Sequence, residues 1–297
     1  MNASTSSANS LPQPRPNEKP LALKTRLKGP IESMSLLRKS LLFAELSMIA
    51  YNDDAEVREA VAEVGFDNIH FFDNDGSQAY EISNKDDCVI TCRGTEPNEW
   101  NDIKADANAI SVIAETAGRV HSGFKKEVDD LWPLMEEKLE GETRTLYFTG
   151  HSLGGAMATI CAGRCHLSKI KAFPKELYTY GSPRVGNKRY VNYCQIDYKR
   201  WVNNNDIVTR VPPPWMGYRH TGQEIYIDSH GKVRQISGWR RTGDRFRGFF
   251  RGLLKFQIDH LSDHSIRRYI DYIANAVCNE EGISREELYA QGPQSDL

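Results

Sequence analysis

Gly150, Ser152 and Gly154 occupy alternate positions in the stretch LYFTGHSLGGAMATI, residues 146–160. A strand that turns abruptly into a helix holds its turn residue in strained backbone geometry, and it needs small neighbours two positions to either side. The two glycines meet that need, and strain of this kind lifts a serine hydroxyl clear of the sheet to where a base can reach it. TLYFT reads as a buried parallel strand and GAMATICAGRCHL as a helix with small residues at its start. The plain alternative, a Gly-rich turn with an idle serine, accounts for less of this context.

Serine alone is a weak nucleophile, so the chain must also supply a base and an acid that orients it. RWVNNNDIVTRVPPP offers Asp206 just after a predicted strand, and FQIDHLSDHSIRRYI offers His260 and His264 near the C-terminus. Nucleophile, acid, then histidine is an established chain order for such a set. Acyl transfer also needs donors for the oxyanion of the tetrahedral intermediate, each worth about 2.7 to 4 kcal/mol of barrier. The backbone N–H of Leu153, next after the nucleophile, is one candidate.

The elements that must position these groups are legible in part. SLLRKSLLFAELSMIAY has a wide apolar helix face. Strands are predicted at NIHFF, QAYEIS, DCVITCRG, ELYTYGS and RWVNNND, a helix around 123–139, a hairpin at EIYIDSHGKVRQI and a final helix from about Asp263. Strands alternating with helices predict a mainly parallel sheet, and no internal repeat is seen.

The chain has 297 residues, 39% of them hydrophobic, enough to bury a large core in a single domain over 31–297. A formal net charge of −2 argues against a general nucleic-acid binder. The first 30 residues, rich in Ser, Asn and Pro, read as a disordered tail. They lack the apolar run of a secretory signal, and no run of 18 apolar residues occurs; a soluble or peripheral protein is expected, with a cytoplasmic placement favoured. Cys88 and Cys92, four apart on a predicted strand, would lie about 13 Å from each other, too far to bridge. Buried reduced thiols are expected.

GHSLGG, with VHSGF at 120–124, CRGT at 92–95, YGSPRVGN at 180–187 and NNDIVTRVPP at 204–213, resembles the class 3 lipase family, the group containing fungal triacylglycerol lipases. The resemblance spans roughly residues 35–276 and rests on five motifs in order. It implies an α/β-hydrolase fold, a mainly parallel sheet with helices on both faces, together with carboxylic-ester hydrolysis, no cofactor and an active-site lid. Carried over by position, Ser152 is the nucleophile and Asp206 the acid, and Thr95 joins Leu153 as an oxyanion donor. The family shows a D-H-L-S form and a D-H-S-x-x-x-Y form, and DHLSDHSIRRY contains both. His264 is favoured over His260 because Asp263 suits an N-cap and HSIRRYIDYI begins an apolar-periodic helix with Tyr269 in the matching place.

The resemblance puts the lid in EPNEWNDIKADANAI, with Trp100 near its hinge or inner face; the other reading is a solvated loop with one packed tryptophan. A second segment, GWRRTGDRFRGFFRGLLKF at 238–256, carries six basic residues against one acidic. Phe246, Phe249, Phe250, Leu253 and Leu254 share one helical face beside Arg247, Arg251 and Lys255. Such a helix either lies in an anionic lipid interface or packs on the sheet with a basic edge. Gly248 and Gly252 weaken the helix by about 1 kcal/mol each.

DNDG at 73–76 departs from a calcium loop, since Gly76 comes too early and Asn84 stands where the bidentate glutamate belongs; a turn is preferred. No metal or nucleotide site is expected. The expected function is hydrolysis of acyl-glycerol esters through an acyl-enzyme. The alternatives are a phospholipase A or lysophospholipase, and a catalytically silent hydrolase-like binding module.

Overall fold

In a computed structural model the protein is described over residues 23–94, 110–168, 170–193, 195–235 and 262–290. α1 (Leu36–Ile49) and α2 (Asp54–Ala62) come first, followed by β1 (Asn68–Asn74), β2 (Ser77–Ser83) and β3 (Asp87–Cys92). Short β4 (Ser111–Ile113) and β5 (Arg119–His121) precede α3 (Ser122–Leu139), β6 (Thr145–His151), α4 (Leu153–Arg164) and β7 (Pro174–Tyr180). β8 (Gly186–Asn187), α5 (Lys188–Tyr193), β9 (Asp197–Asn203), β10 (Tyr218–Arg219), β11 (Gln223–Ile227) and β12 (Val233–Gln235) follow, and α6 (Ile266–Glu281) and α7 (Arg285–Ala290) close the described chain.

Eight strands form one sheet in the order β1-β2-β3-β6-β7-β9-β11-β12. Its centre, β3-β6-β7-β9-β11, is parallel, and the outer pairs β1-β2, β2-β3 and β11-β12 are antiparallel. Alternation along β6 shows why both faces are covered. Leu146 and Phe148 join the core on one face and Tyr147 the core on the other, as successive strand residues must. α1 and α6 cover the Tyr147 face, while α3 and α4 cover the Phe148 face. α6 buries Ile266, Tyr269, Ile270, Ile273, Ala274 and Val277, the i, i+3, i+4, i+7 spacing of one helical stripe. The DNDG turn joins β1 to β2 with Asn74 opposite Ser77. Asp75 and Gly76 both have positive φ (51° and 86°), as a two-residue hairpin of the mirror-image type requires.

A small antiparallel sheet, β10-β8-β5-β4, was not expected. Its strands have two or three residues each, too few for any periodic signal. A second correction concerns the predicted tail, 1–30. Residues 23–30 are packed on the domain: Leu23 and Thr25 are buried, the Leu27 N–H donates to the Val64 carbonyl at 2.8 Å, and the Ile31 N–H donates to Asp87 Oδ2 at 2.8 Å. The acceptors are far away in sequence, so no local pattern announces the contact. Cys88, Cys92, Cys161 and Cys165 are free and buried, and Cys278 is free and half-buried. Among the described residues no helix is long and apolar enough to cross a membrane.

α1 is buried almost all round, including its polar residues. Lys39 Nζ pairs with both Glu176 oxygens at 3.2 Å, and Trp201 Nε1 donates to Ser40 Oγ at 3.1 Å. Glu45 Oε2 accepts the N–H groups of Lys24 and Thr25 at 3.1 and 2.8 Å, while Oε1 has no partner. Burial raises this carboxyl to about 7 against the opposing pull of those two donors. A raised folded-state value favours folding while the group is protonated: the contribution is complete below about pH 4.5 and is lost as pH rises through about 7. Glu45→Gln keeps an acceptor for the two N–H groups and removes the titration. The stability difference, variant minus wild type, is expected to grow by about 3 kcal/mol between pH 4.5 and pH 8, read from denaturant midpoints. A constant difference would mean that Glu45 titrates normally.

Candidate active site

β6 ends at His151 and α4 starts at Leu153, leaving Ser152 alone in the turn with φ 61° and ψ −128°. For a residue with a side chain this conformation costs on the order of 1–3 kcal/mol and persists only where its surroundings enforce it. The Ser152 N–H donates to the Tyr180 carbonyl at the end of neighbouring β7 (2.9 Å), and the Ser152 carbonyl accepts from Gly155 at 3.0 Å. The flanking glycines are there for space. A Cβ on Gly150 would sit 2.3 Å from the Gly154 carbonyl oxygen, and one on Gly154 would sit 2.2 Å from that of Cys92.

Three of the predicted site residues converge here. Ser152 Oγ lies 2.7 Å from His264 Nε2, and His264 Nδ1 lies 3.0 and 2.9 Å from the two oxygens of Asp206. All three residues are buried. An ionised carboxylate only accepts, so the network assigns the His264 proton to Nδ1 and leaves Nε2 to accept from the serine hydroxyl. Asp206 is held by further donors: the Val208 N–H at 3.0 Å and the Tyr269 hydroxyl at 2.7 Å. Burial, reinforced by the Asp206 charge, pushes the Tyr269 phenol far above its ordinary value, so it remains a donor. The same oxygen accepts the Asn203 N–H at 2.9 Å, tying Asp206 to the end of β9. Gly181, with φ 63°, leaves room for this contact; a Cβ there would lie 2.8 Å from both Asp206 Oδ2 and His264 Nδ1.

The structure corrects the capping argument that favoured His264 while bringing that histidine to Ser152. α6 begins at Ile266, and its N-cap is Ser265, whose side chain makes no capping bond. Asp263 instead clamps the histidine loop to the strand edge. Its carbonyl accepts from Asn203 Nδ2 at 2.8 Å and its carboxylate from Asn204 Nδ2 at 3.2 Å and Arg268 at 3.0 Å. The asparagines that precede Asp206 thus hold its partner in place. His260 lies outside the described residues, as do Thr95, Trp100, the expected lid segment up to residue 109, and the basic segment 239–256. Leu153 opens α4, where the first backbone N–H groups of a helix have no intrahelical acceptor.

Sequence reasoning missed two side chains at this site. His151 and Tyr51 form a hydrogen-bonded pair behind Ser152 and His264. His151 was visible inside GHSLGG, but Tyr51, in the turn just after α1, carried no local signal. Among the described residues, Glu81, Cys88 and Glu142 form a cluster of potential metal-ligand type, their donor atoms within 4.8 Å of one another. That cluster carries its own counter-charge: Arg144 donates to Glu142 (2.5 and 2.8 Å) and Glu81 (3.3 Å), with Lys138 3.6 Å from Glu81. Burial raises the Cys88 thiol well above its ordinary value.

A mainly parallel sheet covered on both faces, with a strained serine at a strand-to-helix turn and acid and histidine on later loops, defines the α/β-hydrolase fold. Residues 89–216 match the class 3 lipase family model, and over that stretch the chain is similar to that family. It is 37% identical over 128 residues to a lipase of Rhizopus niveus, a match covering 40% of this chain and 33% of that protein. It is 40% identical over 118 residues to secreted mono- and diacylglycerol lipase 1 of Fusarium solani, covering 37% and 34%. The chain thus spans about a third of the length of the curated relatives it matches. The solved structure of Rhizomucor miehei triacylglyceride lipase has the same fold, with a TM-score of 0.54 at 24% identity over 68% of this chain and 84% of that one. The expectation of a cytoplasmic protein is corrected by these comparisons, since the Fusarium relative is a secreted lipase by name.

Proposed function

We propose that the protein hydrolyses carboxylic esters of acyl glycerols through a covalent acyl-enzyme on Ser152. The observation that carries this reading is the unbroken hydrogen-bonded line from Ser152 Oγ through His264 to Asp206, beginning at a strained turn residue. In the proposed reaction Ser152 Oγ attacks the ester carbonyl and its proton passes to His264 Nε2. The negative charge that develops on the carbonyl oxygen is received by the backbone N–H of Leu153, together with Thr95. Collapse of the tetrahedral intermediate breaks the bond to the alcohol, which leaves with the proton from Nε2. Water then repeats the sequence on the acyl-enzyme, releasing the fatty acid and restoring Ser152. Asp206 holds the Nδ1–H tautomer and stabilises the imidazolium, while Tyr269 and the Val208 N–H keep the carboxylate aimed.

The test is hydrolysis of nitrophenyl esters of increasing acyl length, a triglyceride emulsion and phospholipid vesicles by wild type and Ser152→Ala. Glyceride and ester hydrolysis by wild type alone is expected. A clear preference for phospholipid would move the substrate to the phospholipase A class. Inertness of wild type on every ester would overturn the enzymatic reading in favour of a binding module.

A further inference from the structure

His151 is buried, and both of its ring nitrogens are engaged: Nε2 lies 2.7 Å from the main-chain carbonyl of His264, and Nδ1 lies 3.0 Å from the Tyr51 hydroxyl. A carbonyl can only accept, so Nε2 carries the proton and Nδ1 accepts from Tyr51. The bonding therefore fixes one neutral tautomer. The two imidazoles lie close together and tilted, with centroids 4.6 Å apart and planes 32° apart. Burial, followed by the proximity of His264, pushes the His151 imidazole well below its ordinary value, so it stays uncharged beside a ring that must take up a proton.

The same pair meets the other side of the site. Gly94 directly precedes Thr95, and a Cβ on Gly94 would lie 2.4 Å from the Tyr51 hydroxyl oxygen and 2.7 Å from the His151 carbonyl oxygen. The backbone entering the expected oxyanion loop therefore rests on the Tyr51 hydroxyl and on the main chain of His151. Arg93, one residue earlier, stacks its guanidinium over the Tyr51 ring at 6.0 Å and donates to Gln78 on β2 at 2.8 Å. Three segments that must meet within a fraction of an ångström thus share one support: the nucleophile turn, the histidine loop and the strand end leading to Thr95. A misplacement of about 1 Å in such a constellation can cost about 10²-fold in rate.

We propose that Tyr51 and His151 are positioning residues that lock the main chain of the His264 loop and the Gly94 turn to the Ser152 elbow. The proposal rests on the esterase reading above. It assigns no proton transfer to either side chain, because both ring nitrogens of His151 are already engaged, by the Tyr51 hydroxyl and the His264 carbonyl.

The experiment compares wild type, His151→Leu, His151→Gln and Tyr51→Phe on a soluble nitrophenyl ester, and measures the rate and final extent of Ser152 labelling by a phosphonate. His151→Leu removes both hydrogen bonds and is expected to lower kcat about 10²-fold with KM within threefold. Labelling should slow by a similar factor yet still reach every molecule. A merely structural role would instead reduce the labelled fraction and leave the rate of the remainder unchanged. His151→Gln keeps a donor for the His264 carbonyl and should recover at least tenfold of the loss. Tyr51→Phe removes one hydroxyl and should lower kcat about tenfold; it carries the test alone if the His151 variants fail to fold. Variants within threefold of wild type in kcat and labelling rate would overturn the proposal. If wild type itself neither hydrolyses esters nor takes the label, the esterase reading fails, a result distinct from that one.

Discussion

His264→Ala is expected to lower ester turnover by at least about 10⁴-fold while leaving the protein folded. The imidazole is the only group among the described residues hydrogen-bonded to Ser152 Oγ, at 2.7 Å, and its orientation is fixed by Asp206 on one side and by its own carbonyl, held by His151, on the other. Removing it leaves a hydroxyl that must lose its proton to water, a change that costs serine hydrolases about 10⁴ to 10⁶ in kcat. Folding should survive because the α6 stripe begins after the histidine, at Ile266, and packs without it. His260→Ala should keep most of the turnover. The check is steady-state kinetics on a soluble ester with the thermal midpoint measured alongside. The reverse pattern, with His260→Ala inactive and His264→Ala active, would reassign the base.

The second large effect is expected from Gly154→Ala, where a single methyl group should cost about 3 kcal/mol or more. The ideal Cβ would sit 2.2 Å from the Cys92 carbonyl oxygen and 2.9 Å from the main-chain carbons of both Cys92 and Arg93. Each of these is backbone of a central strand or of the turn after it, so no side chain can swing aside. Relief requires α4 to move away from β3, carrying with it Ser152 and the Leu153 N–H. The variant should therefore melt several degrees lower and lose activity out of proportion to the folded fraction. A midpoint within about 2 °C of wild type would mean that the helix and strand pass less closely than described. The space at Gly76, where no atom lies within 4 Å of an added Cβ, makes Gly76→Ala a useful contrast: its cost would come from the positive φ alone.

What the sequence disclosed follows from how local each signal is. β1, β2, β3, β6, β7 and β9 were legible because each is a run of six or seven β-branched, aromatic or alternating residues ended by turn chemistry. Ser152 was legible because its strain demands Gly150 and Gly154 at fixed spacing. Asp206 was found from its place after a strand. His264 was reached partly through a cap at Asp263 that does not form, because that carboxylate is used by Asn204 and Arg268. The strap at 23–30 and the small sheet were hidden for a shared reason: their hydrogen-bond partners are distant in sequence. Tyr51 belongs to the same class. It supports the site through one hydroxyl, and nothing in its neighbours along the chain marks that use.

The most direct test of the central claim is to treat the wild-type protein with an excess of a p-nitrophenyl alkylphosphonate and map the adduct by mass spectrometry, following ester hydrolysis in the same samples. The account predicts one adduct per chain, on Ser152, with activity lost in step with labelling and no adduct in Ser152→Ala. An adduct on any other residue, or ester hydrolysis that survives full labelling of Ser152, would contradict it.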